Sequence, residues 1–378
     1  MKKTFKLRIY PNQSQQQKLC WTLDKCRILY NAALEERIIA YRMTGRSPSC
    51  YSQINELPDL KRAITSYKRV FSQVLQDVLK RLDLAYGAFF RRIKHGEKPG
   101  FPRFQGYSRY DSFTYTQGGF KVTEKKIFLS KIGHVKIHGY RPINGKIKTC
   151  TVRREADHWF ICLSCEVEPE HLPQNNPPIA VGIDLGIKQY AVFSDGSVID
   201  KPSFTKKNEA LIAFFNQQLA LKQRGSKRRY RAKVTLQKAH LKVKNQRNDF
   251  LHKLSRRIVN SYDVIVMEKL TPSTILAKIT NINKATLDAS WSTLIQYVAY
   301  KAEYAGRQLI LIDPKNTSQT CSSCYSILKE PLQLKDRVFK CPNCYLELDR
   351  DFNAACNILR AGAQSTLTSV GVTSLEPD

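Results

Sequence analysis

Sixteen residues separate two Cys-x-x-Cys pairs, Cys321/Cys324 and Cys341/Cys344. That spacing lets two short knuckles carry four thiolates to one tetrahedral Zn²⁺. Metal binding then replaces the hydrophobic core that a segment of about 25 residues cannot build. A closed four-thiolate site has no open coordination position, so its role is architectural. Cys162 and Cys165 have the same spacing inside the strand-like run WFICLSCEV, where residues three apart point to opposite faces and cannot share an ion. They are expected to be core thiols, as are the remaining cysteines of the eleven. No apolar run reaches membrane length and Met1–Tyr10 alternates Lys/Arg with apolar residues, so the chain is expected in the cytoplasm, where thiols stay reduced.

The residues after the second pair are unexpected in so basic a chain. Against 62 Lys+Arg and 32 Asp+Glu, a formal net charge of +30, the stretch CPNCYLELDRDFNAACNI alternates Glu347, Asp349 and Asp351 before a small-residue helix. Two further carboxylates close apolar strands, Asp184 in GIDLGIKQYAVF and Glu268 in DVIVMEKL. Singly, each has a plain reading as a turn residue, a helix cap or a partner for a helix dipole. Together, two strand ends and one helix start suggest a cluster that holds two Mg²⁺ ions for in-line phosphodiester cleavage.

The charge balance points to a polyanion, because neutralising phosphates releases condensed counterions. No stretch pairs a basic face with the apolar face that a membrane surface requires. Residues 210–248 contain no acid, and within them Arg224, Lys227, Arg228, Arg229, Arg231, Lys238 and Lys242 read as phosphate contacts on a helical hairpin. In KPGFPRFQGYSRYDSFTYT, Arg103 and Phe104 are candidates for a phosphate and an unpaired base, although about half of that segment's rings fit a core equally well. Lys68, Lys80 and Arg81 lie on the basic face of a helix expected over 67–93.

Periodicity adds a first strand with Phe5, Leu7 and Ile9 on one face, and a helix over 15–41. Short alternating runs at 127–129, 134–137, 147–152 and 158–167 suggest a small β-barrel or sheet, with Asn144-Gly145 as a hairpin signal. A Pro- and Asn-rich linker, 168–178, precedes an α/β domain with strands at 179–183, 190–193 and 263–268. A helix over 290–305 then stops at Gly306, before the strand QLILID.

In their order and spacing, KLRIYPNQSQQQKL, CRILYNAALEERI, KPGFPRFQ, GIDLGIKQYAV, MEKL, YKAEYAGRQLILIDPKNTSQTCSSC and DRDFNAACNI resemble the transposon-encoded TnpB (OrfB-type) proteins, relatives of type V CRISPR effectors. The resemblance covers nearly the whole chain. It implies a multidomain α/β protein with a β-barrel wedge domain (1–10 and 101–175) interrupted by a helical recognition domain (11–100). A RuvC-like nuclease domain of RNase H fold (176–316 and 347–363) then carries an inserted zinc ribbon (317–346). The Ser/Thr-rich composition of 364–378 is that expected of a disordered tail. The family's nuclease triad falls on Asp184, Glu268 and Asp351, with Asp349 in reserve and Glu347 solvated. Tyr325 and Tyr345 stand where the family often has glycine after a cysteine pair. The implied activity is Mg²⁺-dependent, RNA-guided cleavage of double-stranded DNA beside a short motif. The implied guide is RNA from the transposon end, and the protein is expected to act as a monomer on that RNA. A cleavage-deficient guided regulator, a DNA-joining transposase and a compact CRISPR effector are the alternatives.

Overall fold

A computed structural model of the chain describes residues 1–107, 109–140, 142–186, 188–269, 290–333 and 336–369. The chain divides into two units, 1–168 and 169–378.

In the first unit, strand β1 (Lys2–Tyr10) ends at Pro11, and Asn12 opens helix α1 (Gln13–Thr44). The Asn12 side chain accepts from the Gln15 N–H at 2.9 Å while the Asn12 N–H donates to Gln15 Oε1 at 3.0 Å, a reciprocal cap. The helix buries Leu19, Leu23, Leu29, Tyr30, Ala33 and Leu34, as its periodicity requires. Two short helices the sequence did not announce follow, α2 (Cys50–Asn55) and α3 (Leu57–Ala63), and then a 3-10 turn over Thr65–Arg69. Helix α4 (Ser72–Lys94) turns Val74, Leu75, Val78 and Leu82 inward. It begins later than its apolar pattern suggests because Phe71 is extended.

Strands β2 (Ser112–Tyr115), β3 (Phe120–Val122), β4 (Lys126–Leu129), β5 (Gly133–His138), β6 (Lys146–Glu155) and β7 (His158–Glu166) join β1 in a seven-stranded antiparallel sheet of order β2-β6-β7-β1-β5-β4-β3. Because β1 lies between β7 and β5, the chain starts in this sheet, leaves for the helices and returns. Among the described residues the ladder ends at β2 and β3. On β7, Trp159, Ile161, Leu163 and Cys165 alternate inward, so Cys162 faces away from Cys165. Asn144-Gly145 is not a hairpin turn, since β6 pairs with β7 and β2 and not with β5. The tight turn is instead at Ala156, with φ 55°. Gly145 is needed because a Cβ there would lie 2.2 Å from the Glu166 carbonyl oxygen.

In the second unit, β8 (Ala180–Asp184), β9 (Gln189–Phe193) and β10 (Val198–Asp200) form an antiparallel meander, and α5 (Phe204–Ala220) and α6 (Lys227–Ser261) a helical hairpin. Strand β11 (Val264–Glu268) then runs parallel to β8. After α7 (Trp291–Ala305), strand β12 (Gln308–Ile312) runs parallel to β11, giving the order β10-β9-β8-β11-β12. Val181, Ile183, Ile265 and Met267 pack against α6 and α7 on one face.

After β12 come β13 (Val338–Lys340), β14 (Glu347–Asp349) and α8 (Arg350–Ser369). The hairpin β13-β14 is a separate two-stranded sheet, so residues 347–349 belong with the cysteine-rich segment. Helix α8 covers the other face of the five-stranded sheet and runs past Ala363; residues 370–378 of the expected disordered tail, and Leu270 of MEKL, lie outside the described residues. Among the described residues no helix is long and apolar enough to cross a membrane.

Contact between α8 and β8 leaves no room for a side chain at position 182. A Cβ on Gly182 would lie 2.2 Å from the Ala355 carbonyl oxygen and 2.5 Å from the Leu359 nitrogen. Gly182→Ala should therefore destabilise the protein by about 1–3 kcal/mol, through overpacking against a helix backbone, in chemical denaturation followed by far-UV circular dichroism.

Candidate active site and metal centre

Strand alternation sets the direction of two carboxylates. Val181 and Ile183 enter the core under α6 and α7, so Gly182 and Asp184 lie on the α8 face. On β11, Ile265 and Met267 enter that same core while Val266 packs with Ile358 of α8, so Glu268 also lies on the α8 face. The parallel register pairs Met267 with Ile183, placing Glu268 and Asp184 one step further along adjacent strands. Adjacent strands lie about 4.8 Å apart. Asp351 stands one helical turn before Ala355, the residue over Gly182, and a Cβ on Gly186 would be 3.9 Å from Asp351 Oδ2. Asp184, Glu268 and Asp351 are thus neighbours at one end of the sheet. Glu268 and Asp351 are buried, each 7% exposed.

Buried like charges need compensation. Arg337 lies 3.5 Å from Asp351 Oδ2 and Arg350 3.3 Å from Oδ1, while Thr317 Oγ1 donates to Glu268 Oε1 at 2.7 Å. Three hard oxygen donors from three elements suit a hard divalent cation such as Mg²⁺.

The two aspartates of DRD separate by geometry. Asp349 Oδ1 accepts the N–H groups of Asp351 at 2.9 Å and Phe352 at 3.1 Å, which makes Asp349 the N-cap of α8. Asp351, inside the first turn, is the one carried to the sheet. Glu347 is exposed and pairs with Lys340 at 3.1 Å.

Among the described residues, Cys321, Cys324, Cys341 and Cys344 are the group of potential metal ligands whose donor atoms all lie within 4.8 Å of one another; the three carboxylates are not drawn together to that extent. The Sγ separations of 3.6 Å for Cys321–Cys344 and 3.4 Å for Cys324–Cys341 approach the roughly 3.8 Å edge of a tetrahedral Zn–S₄ site. The knuckles share one design. Tyr325 N–H donates to the Cys321 carbonyl at 3.2 Å and Tyr345 N–H to that of Cys341 at 3.0 Å. Hydrogen bonding from Ser326, 3.1 Å from Cys324 Sγ, lowers the Cys324 thiol to about 5 and favours the metal-binding thiolate. Phe339, fully buried between the pairs, gives the module a small core of its own.

Of the expected nucleic-acid contacts, Lys68, Lys80, Arg103, Phe104, Arg224, Lys227, Arg228, Arg231, Lys238 and Lys242 are exposed. Two others serve the fold. Arg81 donates to Asp77 at 2.7 Å, the Ser112 carbonyl at 2.8 Å and Thr114 at 2.6 Å, tying α4 to β2. Arg229 donates to the carbonyls of Leu219 and Lys222, each at 2.8 Å, closing the end of α5. Thr317, Asn353 and Asn357, all buried, were missed in the sequence. Two asparagines one turn apart in an alanine-rich helix were the available signal.

Three family models match this chain. One described as "Cas12f1-like, TNB domain" covers residues 291–358, "Probable transposase" covers 162–276 and "Helix-turn-helix domain" covers 1–46. The last description does not fit the structure, in which residues 1–46 hold a strand and one continuous helix. A Streptomyces pristinaespiralis protein named "Putative RNA-guided DNA endonuclease" is 31% identical over 98% of this chain and 92% of its own length. InsQ of Escherichia coli (strain K12), similarly named, is 29% identical over 95% and 92%. The solved Cas12f1–sgRNA–target DNA complex aligns with 95% of this chain and 98% of its own at a TM-score of 0.54 and 14% identity, a likeness of fold.

Tyr325 and Tyr345 hold the left-handed conformation, with φ 65° and 58°, where a bulky side chain costs roughly 1–2 kcal/mol. Tyr345 is 87% exposed, whereas Tyr325 stacks under Arg360 at 4.0 Å. Tyr345→Gly should therefore tighten Zn²⁺ binding in competition with a chromophoric chelator, and Tyr325→Gly should gain less.

Proposed function

We propose, for a chain that belongs to the TnpB (OrfB-type) family, that it is an RNA-guided DNA endonuclease. An RNA from the transposon end pairs with one strand of double-stranded DNA beside a short motif, and one carboxylate site cuts the DNA. The observation that carries this reading is the convergence of Asp184, Glu268 and Asp351 on one end of the sheet, where α8 docks on Gly182.

Asp184, Glu268 and Asp351 would hold two Mg²⁺ ions. When bound, these supply an activated water and a Lewis acid for the leaving oxygen. The residues themselves position the donors. Strands β8 and β11 fix two carboxylates in register, and the Asp349 cap fixes the first turn of α8 and hence Asp351. Arg337 and Arg350 balance Asp351 and would exchange this partner for a cation. The four cysteines would hold structural Zn²⁺. The exposed cations of α6 and of the loop before it, Arg224, Lys227, Arg228, Arg231, Lys238 and Lys242, would bind phosphates of the guide–target duplex. Arg103 and Phe104 would meet an unpaired nucleotide, and Lys68 and Lys80 the DNA duplex. The seven-stranded sheet and its helices would form the wedge and recognition domains. The protein would act in the cytoplasm as a monomer on its RNA.

The test is cleavage of a plasmid library by the protein purified with its co-expressed RNA, in Mg²⁺ and in EDTA. Asp184→Ala and Asp351→Asn should abolish guide-matched cleavage while keeping guide-dependent binding. Asp349→Ala should weaken cleavage without abolishing it, because Asp351 keeps its carboxylate but loses the cap that fixes its turn, and should cost about 1 kcal/mol of stability. Guide-dependent binding without cleavage by the unaltered protein would make it a regulator, and joining of transposon ends would make it a transposase.

A further inference from the structure

Glu268 is held by a residue outside its own strand. At the level of Glu268 the sheet ends, with Ile312 paired to Glu268 across the β11-β12 ladder and the Lys269 N–H donating to the Ile312 carbonyl at 2.7 Å. The chain then turns back through Asp313 and Pro314, and Thr317 meets the glutamate 2.7 Å from Oε1. Both partners are buried, Thr317 being 8% exposed. Four residues later the loop enters the first cysteine knuckle at Cys321.

Side chains of α8 fix this loop. Asn353 Nδ2 donates to the Thr320 carbonyl at 2.8 Å while its Oδ1 accepts the Ser322 N–H at 2.9 Å. One turn on, Asn357 Nδ2 donates to the carbonyls of Thr317 at 3.0 Å and Thr320 at 2.7 Å. Asn353 is fully buried and Asn357 is 3% exposed, so these bonds are shielded from competing water. One helix therefore carries Asp351 to the sheet and clamps the loop that holds Glu268.

We infer that Thr317 is a positioning residue for Glu268, held in place by Asn353 and Asn357 at the root of the cysteine module. This rests on the reading of Glu268 as a metal ligand. A carboxylate whose Oε1 accepts a buried hydroxyl has a fixed rotamer and presents Oε2 in one direction. Without that bond it must search for the geometry a cation demands. The Thr317 hydroxyl also lies 3.1 Å from the Pro314 carbonyl, so a purely local role in shaping the turn is the competing account.

Zinc-loaded full-length protein carrying Thr317→Val, Thr317→Ser or Glu268→Gln separates the two. Mn²⁺ affinity, read by electron paramagnetic resonance, is independent of activity. The Mg²⁺ concentration for half-maximal plasmid cleavage is then measured on the complex with RNA. Thr317→Val should weaken Mn²⁺ binding roughly tenfold and raise the Mg²⁺ requirement by a similar factor, the size expected when a ligand's supporting hydrogen bond is lost. Thr317→Ser, which keeps the hydroxyl, should restore both to within about twofold, with zinc content and melting temperature unchanged across the pair. Equal Mn²⁺ affinity in Thr317→Val and the unaltered protein overturns the inference, as does a Thr317→Ser variant as impaired as Thr317→Val. If Glu268→Gln also leaves Mn²⁺ affinity unchanged, the metal-ligand reading of Glu268 itself has failed.

Discussion

Helix α8 can lie directly on β8 because Gly182 offers it no side chain, and small residues, Ala354 and Ala355, face the sheet from the helix. That approach sets the height of every group at this end of the second unit. It brings Asp351 level with the ends of β8 and β11, puts the Asp349 cap at the helix start, and places Asn353 and Asn357 where they reach the loop after β12. A helix held further off would part Asp351 from Asp184 and Glu268, which share one face of the sheet. The repulsion among them is then borne by packing on one side and by Arg337 and Arg350 on the other.

Features carried by local spacing were legible in the sequence. The cysteine pairs, the apolar strands ending in Asp184 and Glu268, and the inward faces of α1 and α4 each depend on residues a few positions apart, and the structure places them accordingly. Features that depend on a distant partner were not legible. Nothing near Asp349 distinguishes it from Asp351 until the helix start is known to fall at Arg350. Thr317 is an ordinary turn residue until β11 brings Glu268 beside it. Asn144-Gly145 has the composition of a hairpin turn, but Gly145 is required by the backbone of Glu166, far along the chain. Helices α2 and α3 are too short for periodicity to register.

The same limit applies to charge. A surplus of +30 marks a polyanion-binding chain, yet it cannot say which cations face outward. Arg81 and Arg229 are spent on carbonyls and hydroxyls of the fold, as Arg307 is on buried Asp263 at the opposite end of β11 from Glu268. The multiple donors of a guanidinium suit it to such internal ties. The exposed lysines and arginines of α6 are a better measure of the surface than the total.

Strand β14 ends at Asp349 and α8 begins at Arg350, so the cysteine module and the helix meet without a spare residue. An α-helix advances about 100° per residue. A single insertion or deletion at this joint would turn the whole helix in phase, swinging Asp351 off the sheet and Asn353 and Asn357 off their loop together. Length variation among natural relatives should therefore collect in the outer segment between the two cysteine pairs and be purged from the joint, which makes the joint the natural frame of reference for aligning distant sequences of this kind.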